Sequence, residues 1–347
     1  MVCRGLSVAP VFSLVFEQGN AHSAVLVRQK VESCLAEALK TGDSPRPDRM
    51  AVLLPFIGCT LIWSSTWLVI RTQLGVVPPT WSVAYRFLIA TVAMMAYARM
   101  VKAPLRFTAR QHGFAAIYGI AQYALNYIAV YLAERTITSG LVAVLFALLI
   151  VPNALLGWIF LKQRLSGGFL IGSGVALVGL VLLFGHELGV APAADHAAIL
   201  VGIGWSLLGV LFASIANVMQ ASGPAKHMAV PSLIAWGMAW GSGFDVLIAW
   251  ITSGPPVFDP SPGYWAGTLY LSLIGSALAF TFYFQVIRAI GPARAAYSGV
   301  LTPVLAMLLS TIFEAYRWTP QAIVGGLLSL AGLFVALKAR QRARPEQ

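Results

Sequence analysis

The stretch GWIFLKQRLSG, Gly157–Gly167, and the stretch STIFEAYRWTP, Ser310–Pro320, share one phrase: Ile-Phe, three residues, Arg, and a hydroxyl residue two positions on. They stand 153 positions apart. Slid along itself by that distance, the chain matches 124–183 to 277–336 without a gap at about a quarter of the positions. The pairs include Arg135/Arg288, Leu148/Leu301, Phe160/Phe313, Arg164/Arg317, Gly172/Gly325 and Gly179/Gly332. The arginines and glycines weigh most, because an apolar chain matches leucines by composition alone. Pro79 and Pro231 fall at nearly the same offset. Self-similarity at a fixed period is the mark of a repeat architecture.

The repeated unit belongs in lipid. The chain has 347 residues, 59% hydrophobic and 10% charged, where soluble domains carry about 25% charged residues. So few charges cannot cover a water-facing surface. The net charge of +11, gathered on one face, would suit a phosphate-rich partner. Here Lys and Arg fall in short clusters between long apolar runs, as membrane proteins carry them, so no nucleic-acid partner is expected. Cys3, Cys34 and Cys59 are odd in number with no paired spacing, which implies neither a disulfide framework nor a metal site.

A helix needs about 20 apolar residues to cross a bilayer. Ten runs qualify, near 51–70, 80–99, 113–133, 138–161, 167–186, 198–221, 230–252, 265–288, 292–314 and 320–338. They are continuous, whereas barrel strands alternate in segments of about ten residues. The longest connection, near 185–197, leaves no room for a soluble domain. The expected fold is an all-α membrane protein of ten transmembrane helices, five in 51–186 and five in 198–338. Residues 339–347 form a basic tail. Residues 1–49 differ in kind. Arg4, the apolar run to Phe16 and AHSA resemble a signal peptide, but Glu17 follows closely and cleavage would reverse the topology that the charges favour. VRQKVESCLAEALK suits a short amphipathic helix and TGDSPRPD a linker. The segment reads as a poorly ordered extension, with Met50 as the working start.

With the N-terminus inside, thirteen Lys/Arg from Arg99 to Arg344 fall on the inner side. Three, Arg71, Arg135 and Arg317, fall outside. The Lys/Arg-rich side is cytoplasmic, so both termini are expected in the cytoplasm. Most acids, Glu134, Glu187, Asp195, Asp259 and Glu314, fall outside. A unit of five helices forces the second copy to enter the membrane inverted. Inverted repeats place a substrate site at their interface and let one half rock against the other.

At this point the chain resembles the EamA-type transporters of the drug/metabolite transporter superfamily. WSSTWLVIR (63–71) is similar to that family's Trp-Gly-Ser-Thr-Phe start and PTWSVAYRF (79–87) to its Pro-to-Arg segment. The stretches 134–166 and 290–333 resemble its two repeat ends. The family often carries Gly-Glu-Arg after its fourth and ninth helices. Here Lys162-Gln163-Arg164 and Ala315-Tyr316-Arg317 stand there, with Glu314 two residues early. The resemblance implies ten helices in two repeats and transport of amino acids, metabolites or drugs, and it does not select among them.

Ionisable groups inside a bilayer are functional candidates by default. Arg86 and Asp245 lie well within helices, each about seven residues from the outer end. Arg86 suits a substrate carboxylate, and Asp245 suits a coupling proton; equally, the two suit a structural ion pair or snorkelling side chains. Tyr123, Tyr127 and Tyr131 recur every fourth residue, with Gln122 and Asn126 alongside. The repeat maps these tyrosines to Ser276, Phe280 and Phe284. Such aromatics either line an apolar cavity or pack between helices. Trp63, Ser64, Ser65, Thr66 and Trp67 break the first run, and Asn217 and Gln220 break its mate. Polar breaks in corresponding halves point to a transport site, although small hydroxyl residues also simply pack. Ser298 and Thr302 before Pro303, and Asn153 after Pro152, add candidates at kinks, where proline frees a carbonyl. Gly172, Gly174, Gly179, Gly325, Gly326 and Gly332 read as close-approach points of the fifth and tenth helices.

No phosphate-binding glycine loop, His-Glu-x-x-His or nucleophile elbow occurs. No enzyme, cofactor or ATP motor is therefore expected. The expected function is a secondary transporter of a small organic solute across the bacterial inner membrane, by alternating access and in the export direction, passive or proton-coupled. The alternative is a scaffold or sensor that keeps the fold without transport. A liposome screen of amino acids and amphipathic drugs separates the two. For the topology, a reporter that needs the periplasm, fused after Arg344, is expected to stay silent; activity there would overturn the helix count or the orientation.

Overall fold

In lipid every backbone polar group must be satisfied inside the protein, and a helix does this within one segment. The computed structural model describes residues 49–163, 165–283, 285–286 and 298–342. The expected extension 1–48, Arg164, Phe284, Arg288, Arg294 and the end of the tail lie outside the described residues. Val52–Gln347 forms one unit. Among the described residues its long helices are α1 Arg49–Thr72, α2 Pro79–Met100, α3 Ala109–Ala133, α4 Ser139–Leu161, α5 Gly167–Val190, α6 His196–Ala221, α7 Val230–Ser253, α8 Pro262–Tyr283, α9 Ser298–Phe313 and α10 Pro320–Arg342. Nine are long and apolar enough to cross a membrane, and α9 is shorter at 16 residues. Residues 292–297, expected to open that helix, are outside the described set.

Local chemistry sets the ends. α3 begins four residues before its apolar run, at Ala109 rather than 113, because Thr108 and Gln111 form a reciprocal capping box. Prolines stand in the first turns of α2 and α7, where a missing N–H costs nothing. α4 pauses at Leu148–Leu149 ahead of Pro152. Pro152 cannot donate to the Leu148 carbonyl; the Val151 N–H does so instead at 2.8 Å.

The two halves meet through antiparallel mates. Gly172 of α5 lies on Gly332 and Ala336 of α10, and Gly179 lies on Gly325 and Ser329. Under the 153-residue shift Gly172 becomes Gly325 and Gly179 becomes Gly332, so each contact maps onto the other. That is the signature of a pseudo-two-fold axis between a helix and its inverted copy. The Ser329 hydroxyl adds a 3.1 Å bond to the Ala176 carbonyl, again 153 residues apart. α2 runs antiparallel to α7 in the same way, with Thr80–Ser253 at 3.1 Å and Thr91–Ser242 at 3.4 Å. α4 meets α9 where Gly140 admits Met307 and Ser310.

The glycine seam can be tested by a matched pair. A Cβ on Gly179 would stand 2.6 Å from the Gly325 carbonyl oxygen, whereas one on Gly174 meets nothing within 4 Å. Gly179→Val is therefore expected to destabilise the protein by about 1–3 kcal/mol through overpacking, with a lowered melting temperature in detergent. Gly174→Val should melt as the native chain does. Equal melting of both variants would show that the seam tolerates side chains.

Candidate functional site

The α2–α7 hydrogen bonds fix one stripe of α2 against α7. At 3.6 residues per turn, Arg86 stands about 120° away from that stripe. It is turned toward α3 and α8, and its side chain is 1% exposed. Nη2 donates to Ser276 Oγ of α8 at 3.4 Å. The guanidinium lies over the Tyr127 ring, 4.3 Å from its centroid, and 5.2 Å from that of Phe87. Nε and Nη1 have no hydrogen-bond partner.

Two wide turns aim the partners. α3 contains a π-helical segment at Ile120–Leu125, and α8 contains one at Tyr270–Leu278. The 153-residue shift lays 120–125 on 273–278, so both repeats widen at the same place. Such segments insert an extra residue per turn and cluster at functional sites. Tyr123 and Ser276 occupy equivalent positions in them. The Ser276 hydroxyl reaches the Leu271 carbonyl, five residues back, at 2.9 Å.

Rings from both repeats close around this point. Phe87 lies 4.8 Å from Tyr127 and 5.3 Å from Tyr123. Phe280 meets Tyr123 edge-on at 6.3 Å and Trp63 of α1 at 5.6 Å. Tyr123 shares a 3.0 Å hydrogen bond with Tyr118. Gly237 and Gly241 of α7 leave room for these two tyrosines. The expected residues Trp63, Arg86, Tyr123, Tyr127 and Phe280 thus come together. Asn126 sits beside them on α3; its Nδ2 bonds the Gln122 carbonyl and its Oδ1 is buried without a partner.

The polar breaks divide differently. Thr66 is spent on the Trp63 carbonyl, and Ser64 on the Thr60 carbonyl. Ser65 reaches across to the Tyr270 hydroxyl of α8 at 2.7 Å. Asn217 and Ser214 of α6 both donate to Asn153 Oδ1 of α4. This group shares no hydrogen bond or ring contact with Arg86. Thr302 bonds the Ser298 carbonyl one turn back in α9. Asp245 is fully buried on α7 and neither carboxylate oxygen has a hydrogen-bond partner. An Arg86–Asp245 ion pair, one of the readings of the sequence, does not form, because Arg86 faces α3 and α8. Among the described residues the ion pair is Arg71–Glu314, at 3.8 Å.

That pair belongs to a second tier that sequence reasoning left in the loops. Glu314, just past α9, accepts from the Ser139 N–H at 3.3 Å and from the hydroxyls of Ser139 and Ser310 at 2.6 Å each. It caps the first turn of α4, where an anion is favoured. Glu134, just past α3, is fully buried, and both its oxygens lack a partner. Burial first, then the Glu314 charge, pushes its carboxyl well above the usual range, against the pull of Arg71 and Arg86. The readable signal was the spacing of Tyr127, Tyr131 and Glu134, on one helical face. A cavity of about 880 Å³ opens at the same end, lined in part by Arg71, Pro79, Leu132, Arg135 and Trp205.

Two inverted five-helix units around a polar centre buried between lipid-facing helices define a multi-pass membrane protein of the transporter type. The EamA-like transporter family matches residues 50–185 and 200–338, and the chain belongs to that family. It is similar to the uncharacterised transporter YdfC of Bacillus subtilis, 24% identical over 81% of this chain and 89% of that one. The PagO protein of Salmonella typhimurium is 21% identical over 84% and 94%. The uncharacterised inner membrane transporter YedA of Escherichia coli is 27% identical over 76% and 84%. A solved crystal structure of a protein matches with a TM-score of 0.60 at 21% identity, over 85% of this chain and 100% of that one. That likeness bears on the fold alone.

The second tier makes a prediction about stability. The Arg71 side chain is 41% exposed, so its ion pair is worth at most about 1 kcal/mol. The charge-assisted bonds from Ser139 and Ser310 are worth about 1.5–3 kcal/mol each. Glu314→Ala is therefore expected to lower the melting temperature clearly, and Arg71→Ala only slightly. The reverse order in thermal unfolding would place the stabilisation in the ion pair.

Proposed function

We propose that this chain is a secondary transporter of small organic anions with an apolar or aromatic body, moved across the bacterial inner membrane by alternating access. One observation carries the reading: Arg86 is buried with no carboxylate paired to it. Taking a guanidinium out of water costs several kcal/mol. A cation–π contact returns about 0.5–2 kcal/mol, and the neutral hydroxyls of Ser276, at 3.4 Å, and Tyr131 leave the charge without a counter-ion. The site is short of an anion, and a carboxylate fits the two free nitrogens bidentately. Phe87, Tyr123, Tyr127, Phe280 and Trp63 supply the apolar wall that small-molecule sites need.

The inverted seam supports the rocking motion. No nucleotide-binding loop supplies energy, so the net direction follows the gradients; export results where the solute accumulates inside. The inner-membrane location is supported by the relative named as an inner membrane transporter, with the termini on the cytoplasmic side by the Lys/Arg distribution.

The test is counterflow in proteoliposomes with aromatic carboxylates, aliphatic carboxylates, amines and neutral solutes. Carboxylates with apolar bodies are expected to move. Arg86→Gln should weaken their binding by roughly 30-fold or more, the usual result of removing one partner of a buried charge pair. Arg86→Lys should recover only part, since an ammonium lacks the fork. Amines moving while carboxylates do not would end this reading, and a chain moving no solute at all would return the scaffold alternative.

A further inference from the structure

We infer that Glu134 is a proton-binding site coupled to Arg86, so that an organic anion and a proton occupy the centre together. The inference rests on the anion site proposed above and adds its ion coupling. Glu134 closes the α3 stripe of Tyr127 and Tyr131, and the Tyr127 ring of that stripe lies under the guanidinium. It is 0% exposed, and neither oxygen receives a hydrogen bond. A carboxylate can be held as an anion only by donors, and its neighbour Glu314 has drawn those at this end, from Ser139, Ser310 and Arg71.

The groups facing Glu134 are few. The charges that act on its carboxyl are those of Glu314 at the end of α9, Arg71 of α1 and Arg86 of α2. Tyr131 stands one turn back on its own helix. α4 carries no ionisable side chain, and α6 none after His196 at its start. Glu187 of α5 is engaged by the Tyr316 hydroxyl at 2.7 Å. Arg86 is thus the cation whose state a substrate changes. An arriving carboxylate cancels the guanidinium charge, and with it the pull that opposes protonation of Glu134. Glu134 then takes up a proton. By linkage, a proton on Glu134 strengthens anion binding by the same factor. Loaded, the centre is neutral: guanidinium with solute anion, and Glu134 as the carboxylic acid. A neutral centre is the cheaper one to carry through a bilayer. Asp245, the coupling candidate from sequence, shares no hydrogen bond or ion pair with Arg86.

Two measurements on the purified full chain test this, with benzoate as the probe. In weakly buffered detergent across a pH series, benzoate binding should take up protons, approaching about one per anion at the pH where uptake peaks. Glu134→Gln should bind benzoate at least as tightly, without proton uptake and without pH dependence. Infrared spectra should show a protonated-carboxyl band that grows with benzoate, disappears in Glu134→Gln and persists in Asp245→Asn. Unchanged proton uptake in Glu134→Gln overturns the proposal, as does loss of the benzoate-dependent band in Asp245→Asn alone. If benzoate binds neither protein, the coupling falls with the Arg86 reading; if it binds without proton uptake, the coupling falls alone. Folding is checked by melting. The folded state keeps the Glu134 proton to higher pH than the unfolded chain, so the contribution of Glu134 to stability falls as pH rises above the ordinary Glu range. Glu134→Gln should therefore gain in melting temperature over the native chain, more at pH 8 than at pH 5.

Discussion

The contact on which this molecule turns is backbone against backbone, where α5 crosses α10 at Gly172/Gly332 and Gly179/Gly325. Lipid gives two apolar helices no hydrophobic reason to associate, so close packing must do it. Glycine on both sides brings main chains together, and the 153-residue spacing makes the two crossings equivalent. The odd number of helices per unit makes the two copies run in opposite directions. The α2–α7 pairing repeats the same antiparallel relation.

Symmetry builds the scaffold, and its local failure builds the chemistry. Both repeats widen into π-helical turns at equivalent positions, yet one presents Tyr123 and the other Ser276. Arg86 has Met238 or Ala239 as its counterpart at an offset of 152 or 153. Glu134 corresponds to Ile287 and Glu314 to Leu161. The charged residues of the centre are each written once. A cation and two carboxylates therefore crowd one end of the bundle, while the mates of all three are apolar.

Energetically the centre is costly, which is why it is informative. Arg86 and Glu134 are both buried with unsatisfied polar atoms. The hydroxyl residues around them are largely occupied by their own helices, as with Thr66, Ser64 and Thr302. The atoms of this centre left without a hydrogen-bond partner are Arg86 Nε and Nη1, the Asn126 carbonyl oxygen and the Glu134 carboxyl oxygens.

How much was legible beforehand follows from which interactions are local. Composition and run length determined that the chain lies in a membrane as helices, because burial of the backbone in lipid leaves no other economical form for apolar runs of this length. The repeated phrase determined two units, and five helices per unit determined their inversion. Of the six glycines read as close-approach points, Gly172, Gly179, Gly325 and Gly332 form the seam, at positions the repeat relates, whereas Gly174 and Gly326 meet nothing within 4 Å. Arg86 and the tyrosine stripe were readable as polar or aromatic exceptions in apolar runs. The tertiary structure alone decided which exceptions meet. Arg86 and Asp245 looked like partners by depth, but helical rotation turns Arg86 about 120° from the α7-facing stripe of α2. Glu134 and Glu314 looked like solvated loop charges, yet one caps α4 and the other is buried. The π-helical turns left no mark in residue type. Depth along a helix is written in sequence spacing, whereas azimuth between helices is set by packing, and the chemistry of this centre depends on azimuth.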